Sequence, residues 1–375
     1  MQITVEGLTL QYGDNVAVRD MDLTIGEGES VVLLGQSGCG KTSTMRCIAG
    51  LETPTTGRIT VGERVLFDAA KGINRPSHRR NIGMVFQSYA IWPHMTVFEN
   101  VAFPLTMQRT GKADARRRVM ETLELVGLAE FADRGASKLS GGQMQRVALA
   151  RSVVMQPSIM LLDEPLSNLD ARLRHRLRGD LRELQQQLGL TSVYVTHDQE
   201  EALALADRIA MMQHGRIVQI GAPDEIYNRP RSASIADFLG VGNIIEVEPV
   251  DATHVRVAGS ELTLQVPAYE RAPELRACIR GEDILVAEDA TGGNEITATV
   301  VTREFLGASA IYRVELPGGA QLEVYGSKHR PLHAGAGQEV RLRIAVDAIQ
   351  VLPLDVDDSP RADVPTIAHQ AVSVG

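Results

Sequence analysis

Positions 35–42 read GQSGCGKT, between an apolar run that predicts a strand (30–35) and a periodic segment that predicts a helix (41–50). The stretch fits the pattern G-x-x-x-x-G-K-[ST], whose glycines let backbone N–H groups curl around a phosphate chain. The Lys41 ammonium suits the β- and γ-phosphates, and the Thr42 hydroxyl suits Mg²⁺. A chance glycine-rich turn is the alternative, which the strand-then-helix context disfavours. The predicted phosphate-binding residues are Gly35, Gln36, Ser37, Gly38, Cys39, Gly40, Lys41, Thr42 and Ser43.

An acidic pair ends a second apolar run, IMLLDEP at 159–165. We expect Asp163 to hold Mg²⁺, directly or through water, beside the phosphate-binding loop. Glu164 is then the candidate general base that orients or deprotonates an attacking water. Many strands end in acidic residues before a turn. The pair indicates a catalytic site because a phosphate-binding loop lies upstream of it.

Polar residues follow two further predicted strands, His197 after TSVYVT and Gln87 after IGMVF. Parallel sheets present the carboxyl ends of their strands to the ligand. We therefore expect His197 to contact the γ-phosphate and Gln87 to sense Mg²⁺ or the nucleophilic water. A structural hydrogen-bonding role for His197 and a neutral loop position for Gln87 are the alternatives. Tyr12, in a turn bounded by glycine, suits stacking on a purine, although a lone tyrosine is more often a packed edge residue.

The composition disfavours several classes of protein. The net charge of −9 disfavours a nucleic-acid binder, which usually carries a basic excess. The three cysteines lack metal-site spacing and indicate a reducing compartment. We expect neither a secretory signal nor a membrane-spanning run, so any membrane role must come through a partner. Cys39 lies among the N–H groups of the loop, where we expect a stabilised thiolate whose alkylation blocks nucleotide binding.

Two domains and a tail are predicted. Residues 1–240 alternate strands and helices, which indicates an α/β domain. Residues 241–353 form short alternating strands with Gly, Pro and Asp turns, typical of a small β-barrel or sandwich, with a short helical or turn insert near 271–277. The polar stretch 354–375 is expected to be a mobile tail.

The stretch LSGGQMQR at 139–146 resembles a second anion site. Ser140 and the amides of Gly141 and Gly142 open a predicted helix, whose dipole favours an anion. A plain helix cap by Ser140 is the alternative.

With these motifs assembled, residues 1–240 resemble the nucleotide-binding subunit of an ATP-binding-cassette (ABC) transporter. The resemblance rests on motifs in the family's order: Tyr12, 35–42, Gln87, LSGGQ at 139–143, 159–163 with Glu164, SNLD at 167–170 and His197. It implies an ABC-type P-loop fold with a mixed sheet, a helical subdomain at about 88–155 and an antiparallel β edge. It also implies ATP and Mg²⁺ as cofactors, with Thr42, Gln87 and Asp163 at the metal.

The family further implies a head-to-tail dimer that encloses two ATP molecules. The signature stretch of one chain then caps the γ-phosphate held by the loop of a second copy. The residues that would act in trans are Ser140, Gly141, Gly142, Gln143 and Asp170.

The C-terminal part resembles the oligomer-binding-like (OB-like, TOBE) domain of importer ATPases for sugars, ferric iron, polyamines and sulfate. The segments that carry the resemblance are 278–286 and 300–319. It implies a peripheral subunit on the cytoplasmic face of the inner membrane, a permease partner that docks on 88–105 and, indirectly, an extracytoplasmic solute-binding protein. The stretches 233–243 and 67–80 favour ferric iron or polyamine as cargo, with a sugar or other solute as the alternative. A soluble ABC ATPase of translation or DNA repair is the alternative of another class, and regulation through the C-terminal domain is compatible with transport.

Overall fold

The computed structural model describes residues 1–286, 293–327, 332 and 334–355. They form two compact units, Met1–Pro230 and the chain from Arg231 onward. The predicted tail lies outside the described residues from position 356. Among the helices described, none is both long and apolar enough to span a bilayer.

Strands and helices alternate through the first unit, as the sequence predicts. The strands are β1 Ile3–Tyr12, β2 Asn15–Ile25, β3 Ser30–Leu34, β4 Thr56–Val61, β5 Arg64–Asp68, β6 Ile73–Asn74, β7 Ile82–Val85, β8 Ile159–Asp163, β9 Ser192–Thr196, β10 Arg208–Gln213 and β11 Arg216–Gly221. The helices are α1 Lys41–Ala49, α2 Val97–Met107, α3 Lys112–Leu125, α4 Gly141–Val153, α5 Ala171–Leu188, α6 Gln199–Leu205 and α7 Pro223–Asn228.

A six-stranded sheet forms the centre of this unit, in the order β11-β10-β3-β9-β8-β7. Strands β10, β3, β9, β8 and β7 are parallel, and β11 pairs antiparallel with β10. All residues of β3, β8 and β9 are buried, as expected of central parallel strands covered on both faces. The carboxyl ends of β3, β7, β8 and β9 therefore meet at one edge, which positions the site.

A second sheet, β2-β1-β4-β5-β6, is antiparallel and forms the predicted β edge. Its apolar side chains share one core with the central sheet and α1, with members such as Leu8, Met21, Leu33 and Ile48. The fully buried Arg80 closes the carboxyl end of α1, where its guanidinium donates to the carbonyls of Cys47 and Ile48 at 2.8 and 2.9 Å.

The second unit is β-rich, which confirms the all-β expectation for the C-terminal part. Its elements are α8 Ala233–Phe238, β12 Asn243–Pro249, β13 His254–Val257, β14 Thr263–Gln265, β15 Leu275–Ile279, β16 Ile284–Val286, β17 Asn294–Phe305, β18 Ser309–Glu315, β19 Gln321–Ser327, β20 Glu339–Ile344 and β21 Ile349–Pro353.

Two antiparallel sheets, β14-β13-β12-β15-β21 and β16-β20-β17-β18-β19, share one apolar core in this unit. The predicted helical or turn insert near 271–277 is wrong in its second half, because Leu275–Ile279 is strand β15. This strand pairs with both β12 and β21. The hydrogen bonds of these two pairings fix the strand conformation, although the local sequence pattern favours it only weakly.

Candidate active site

The loop 35–42 connects β3 to α1, as its motif predicts. Lys41 is only 5% exposed, and its ammonium donates to the carbonyls of Gly35 and Gln36 at 2.7 and 2.8 Å. The positive charge therefore lies inside the loop. A Cβ at Gly40 would approach the Ala17 carbonyl oxygen to 2.4 Å, so only glycine fits where α1 begins.

Cys39 corrects one sequence-based expectation. Its side chain is 7% exposed and packs in the apolar core of the first unit. Burial raises the pKa of the thiol, although the Lys41 ammonium, 3.7 Å from Sγ, acts in the opposite direction. The expected thiolate is wrong because the Cys39 side chain points into the core, where desolvation disfavours charge.

Thr42 and Asp163 lie side by side at the end of β8. The Thr42 hydroxyl donates to Asp163 Oδ1 at 3.2 Å. Burial raises the pKa of the Asp163 carboxyl, and the hydrogen bond from Thr42 opposes that rise. Within the part of the chain described, His, Cys, Asp and Glu side chains form no cluster of three or more suited to a metal ion. One carboxylate and one hydroxyl nevertheless fit Mg²⁺, which keeps waters and substrate phosphates as its other ligands.

The three predicted catalytic side chains come together. Glu164 Oε1 lies 3.1 Å from His197 Nδ1, and the Gln87 amide donates to Glu164 Oε2 at 3.3 Å. Each residue follows a different strand: Gln87 lies just beyond β7, Glu164 follows β8 and His197 follows β9. Glu164 has a left-handed backbone (φ 43°), a strained conformation for a residue with a side chain.

Glu164 keeps this conformation because its backbone is held on both sides. Its N–H donates to the Val195 carbonyl at 3.0 Å, and its carbonyl accepts from the Ser167 hydroxyl at 2.9 Å. Ser167 also accepts from the Gln87 amide at 3.3 Å. The carboxylate is therefore fixed between His197 and Gln87.

The signature stretch begins α4 with a reciprocal cap. The Gln143 N–H donates to Ser140 Oγ at 3.4 Å, and the Ser140 N–H donates to Gln143 Oε1 at 2.9 Å. Gly142 is buried against α5, since a Cβ there would approach Leu177 to 3.2 Å. The cap uses the acceptor side of the Ser140 hydroxyl, and its O–H can still donate to an anion.

Two further predicted residues flank these motifs. Asp170 caps α5 by accepting from the Leu173 N–H at 2.9 Å. Tyr12 ends β1 with nearly half of its surface exposed. The pKa of Tyr12 is raised by burial and then by the Glu52 carboxylate, while a hydrogen bond with Ser43 lowers it. The Tyr12 hydroxyl thus lies beside the first turn of α1.

Comparisons with known proteins show the family of the chain. The ABC transporter family matches residues 18–167, and the TOBE domain family matches residues 277–352. An Fe(3+) ions import ATP-binding protein, FbpC of Brucella melitensis, is 47% identical over 322 residues, which cover 84% of this chain and 88% of the relative. The chain belongs to the ATP-binding subunits of ABC importers. The ABC resemblance and the α/β cassette fold with a C-terminal OB-like domain are thereby confirmed.

Two further matches extend the comparison. A trehalose/maltose import ATP-binding protein, MalK of Thermococcus litoralis, is 43% identical over 332 residues, 85% of this chain and 89% of the relative. The dimeric ATP-binding cassette MJ0796, solved in a post-hydrolysis state with ADP and Pi, has a TM-score of 0.51 and 31% identity, covering 59% of this chain and 98% of that one. As an ABC importer subunit, the present chain binds and hydrolyses ATP.

Sequence reasoning missed several arginines that hold the ABC motifs. The Arg151 guanidinium, from α4, donates to the carbonyls of Tyr89 and Ala90 at 2.7 and 2.6 Å and lies 4.8 Å from the Trp92 ring centre. Tyr89 and Ala90 both have positive φ, so Arg151 secures a strained loop two residues beyond Gln87. An arginine inside a helical pattern gives no local sign of such contacts.

The first prediction concerns the cysteines. Burial raises the pKa of Cys39, and it raises the pKa of Cys47 and Cys278 to about 12, so the reactive thiolate is scarce at neutral pH. We expect iodoacetamide to label the native chain at pH 7.5 at least tenfold more slowly than the urea-unfolded chain. The measurement is mass spectrometry of each cysteine over time. Equal labelling of Cys39 in both states would contradict the burial argument.

Proposed function

We propose that Glu164 is the general base of ATP hydrolysis, held in position by His197 and Gln87. The observation that supports this most is the position of the Glu164 carboxylate. One of its oxygens contacts His197 and the other contacts Gln87, and these two side chains follow the strands on either side of β8. A base fixed in this way orients a water for in-line attack on the γ-phosphate. His197, half exposed beside Glu164, would contact the γ-phosphate, and Tyr12 would stack on the adenine.

The Thr42 hydroxyl and the Asp163 carboxylate would hold Mg²⁺, with Asp163 acting directly or through water. Their 3.2 Å contact supports the assignment, because both oxygens converge beside the phosphate-binding loop. When bound, Mg²⁺ would neutralise charge on the β- and γ-phosphates. Gln87 would sense the metal through its amide oxygen, since its amide nitrogen donates to Glu164. Lys41 would exchange the carbonyls of Gly35 and Gln36 for phosphate oxygens.

The complete site would need two copies of the chain. The N-terminus of α4, with Ser140 and the amides of Gly141 and Gly142, is suited to an anion, and it would cap the γ-phosphate on the loop of a second copy. Gln143 would support Ser140, and Asp170 would lie at the same seam. The MJ0796 cassette is a dimer in its post-hydrolysis structure, which supports this arrangement.

The second prediction tests the proposed base. Glu164→Gln keeps the shape of the side chain and removes its basicity, so ATP hydrolysis should fall by roughly 10²–10⁴-fold. ATP binding should stay near the parental affinity, and the unhydrolysed nucleotide should hold a dimer. Steady-state hydrolysis, fluorescent-nucleotide binding and light scattering measure the three effects. Glu200→Gln, on an 82% exposed carboxylate, is the matched control. Hydrolysis by Glu164→Gln at the parental rate would rule out Glu164 as the base.

The chain would work as a peripheral subunit on the cytoplasmic face of the inner membrane, where it drives a permease fed by an extracytoplasmic binding protein. The segment 88–105 would receive the permease. Its strained start at Tyr89 and Ala90 is tied by Arg151 to the signature helix α4. A movement of the permease against this segment would therefore be transmitted to the N-terminus of α4, whose residues would cap the nucleotide.

Ferric iron is the cargo that the comparisons favour. The FbpC name of the relative at 47% identity supports it over polyamine, the other expected cargo. A sugar remains the second candidate, because the MalK relative is 43% identical over a similar share of the chain.

The third prediction separates these cargoes. The importer complex, purified through a tag on this chain and rebuilt in liposomes with its binding protein, should hydrolyse ATP several-fold faster when ferric iron is added. Trehalose, maltose and spermidine serve as controls at the same concentrations. Stimulation by a sugar or by spermidine, without stimulation by iron, would refute the iron assignment.

A further inference from the structure

Arg174, in the first turn of α5, contacts three residues from two separate segments of the chain. Its Nη1 donates to Asp198 Oδ2 at 2.9 Å, and its Nη2 donates to the Leu169 carbonyl at 3.2 Å. Its Nε lies 3.9 Å from Glu201 Oε1. One rigid guanidinium therefore joins the stretch 167–170, which follows Glu164, to the start of α6.

The two residues that flank His197 belong to the hydrogen-bond network around Arg174. Asp198, the next residue, accepts from Arg174 and caps α6 by accepting from the Glu201 N–H at 3.1 Å. Thr196, the preceding residue, donates its hydroxyl to Glu201 Oε2 at 2.9 Å and accepts from the Asp198 N–H at 2.9 Å. The backbone that presents His197 to Glu164 is thus held at both flanks.

Glu201 is the buried acceptor of this network. It is 2% exposed, and its Oε2 also accepts from the Tyr194 hydroxyl at 2.8 Å. Burial raises the pKa of the Glu201 carboxyl, while the hydrogen bonds and the Arg174 charge lower it. A buried carboxylate with a guanidinium beside it resists displacement, because separating the two would leave an uncompensated charge.

Two other arginines on the same helix face provide an internal comparison. Arg178 donates to the exposed Glu200 at 3.1 Å, and Arg182 donates to the Leu205 carbonyl at 3.0 Å and to Asp207 at 2.5 Å. Both link α5 to α6 or to the residues after it. Among the contacts described for the three arginines, those of Arg174 alone reach 167–170 and Asp198.

We propose that Arg174 is a positioning residue that couples the stretch 167–170 to the loop carrying His197. A second copy that closes on Asp170 would move the Leu169 carbonyl, and the guanidinium would carry that movement to Asp198 and His197. Arg174 thereby sets the alignment of His197 with Glu164. This inference rests on the proposed catalytic roles of Glu164 and His197.

The fourth prediction compares Arg174→Met with Arg178→Met. Misplacing a catalytic group by about 1 Å can cost on the order of 10²-fold, so Arg174→Met should lower kcat roughly 10–100-fold. Its KM for ATP and its nucleotide affinity should stay within about twofold, because the phosphate-binding loop is untouched. Arg178→Met should hydrolyse ATP near the parental rate. The measurement is hydrolysis over a range of ATP concentrations, with thermal melting as a check of folding.

Two milder variants keep the test decisive if Arg174→Met folds poorly. Arg174→Lys keeps the charge but lacks the planar fork, so it should recover part of kcat only. Asp198→Asn keeps the α6 cap but loses the ion pair, and adding it to Arg174→Lys should lower kcat by much less than the product of the two single effects.

Two results would overturn the coupling. One is a kcat of Arg174→Met within about threefold of Arg178→Met. The other is independent, multiplicative effects of Arg174→Lys and Asp198→Asn. Glu164→Gln, assayed in parallel, separates this failure from that of the proposed function. If Glu164→Gln is inactive while Arg174→Met matches Arg178→Met, the coupling alone fails; if Glu164→Gln is active, the proposed base fails.

Discussion

The register of four parallel strands is the constraint on which the site depends. Leu34 pairs with Thr196, Val195 with Asp163 and Leu162 with Val85. Each strand therefore ends within a residue or two of its neighbour at the same edge of the sheet. The side chains just beyond those ends belong to the phosphate-binding loop, His197, Glu164 and Gln87. A shift of one residue in any of these strand pairings would turn the side chains of that strand to the opposite face of the sheet. The site residues would then no longer lie together.

Motif spacing and strand ends allowed most of the site to be predicted from the sequence. Parallel strands bring their carboxyl ends together at one edge of the sheet. Polar residues that follow three apolar runs are therefore expected to lie close together at that edge. The meeting of Glu164, His197 and Gln87 follows from that rule, and so does the place of Asp163 beside Thr42. The roles of these residues and the action of Ser140 in trans stay proposals.

The sequence could not show what depends on side-chain direction or distant pairing. Cys39 looked like a thiolate because its neighbours bind phosphate, yet its side chain turns into the core. Strand β15 was partly missed because its two partners lie about 30 and 70 residues away in the chain. Arg174 and Arg151 look like ordinary helix residues, since a helical pattern records spacing and not the carbonyls that a long side chain reaches.

Arginines recur as the means by which separate motifs are held together. Arg80 donates to the end of α1, Arg151 to the strained carbonyls after Gln87, and Arg174 to the Leu169 carbonyl. Each donates to backbone oxygens in a loop or at a helix end, where fewer backbone partners are at hand. The planar guanidinium suits this task because its donors have a fixed geometry. The motifs supply the chemistry, and these arginines fix where the motifs lie.

A mixing experiment tests the central claim, that the loop 35–42 and the stretch 139–146 act on one ATP from two copies of the chain. Lys41→Ala damages one half-site and Ser140→Arg the other, so each variant alone should be inactive. A mixed dimer contains one site built from an intact loop and an intact signature. Mixing is expected to restore single-turnover hydrolysis of ATP. Continued inactivity, with mixed dimers present by light scattering and Ser137→Arg active as the control, would contradict it.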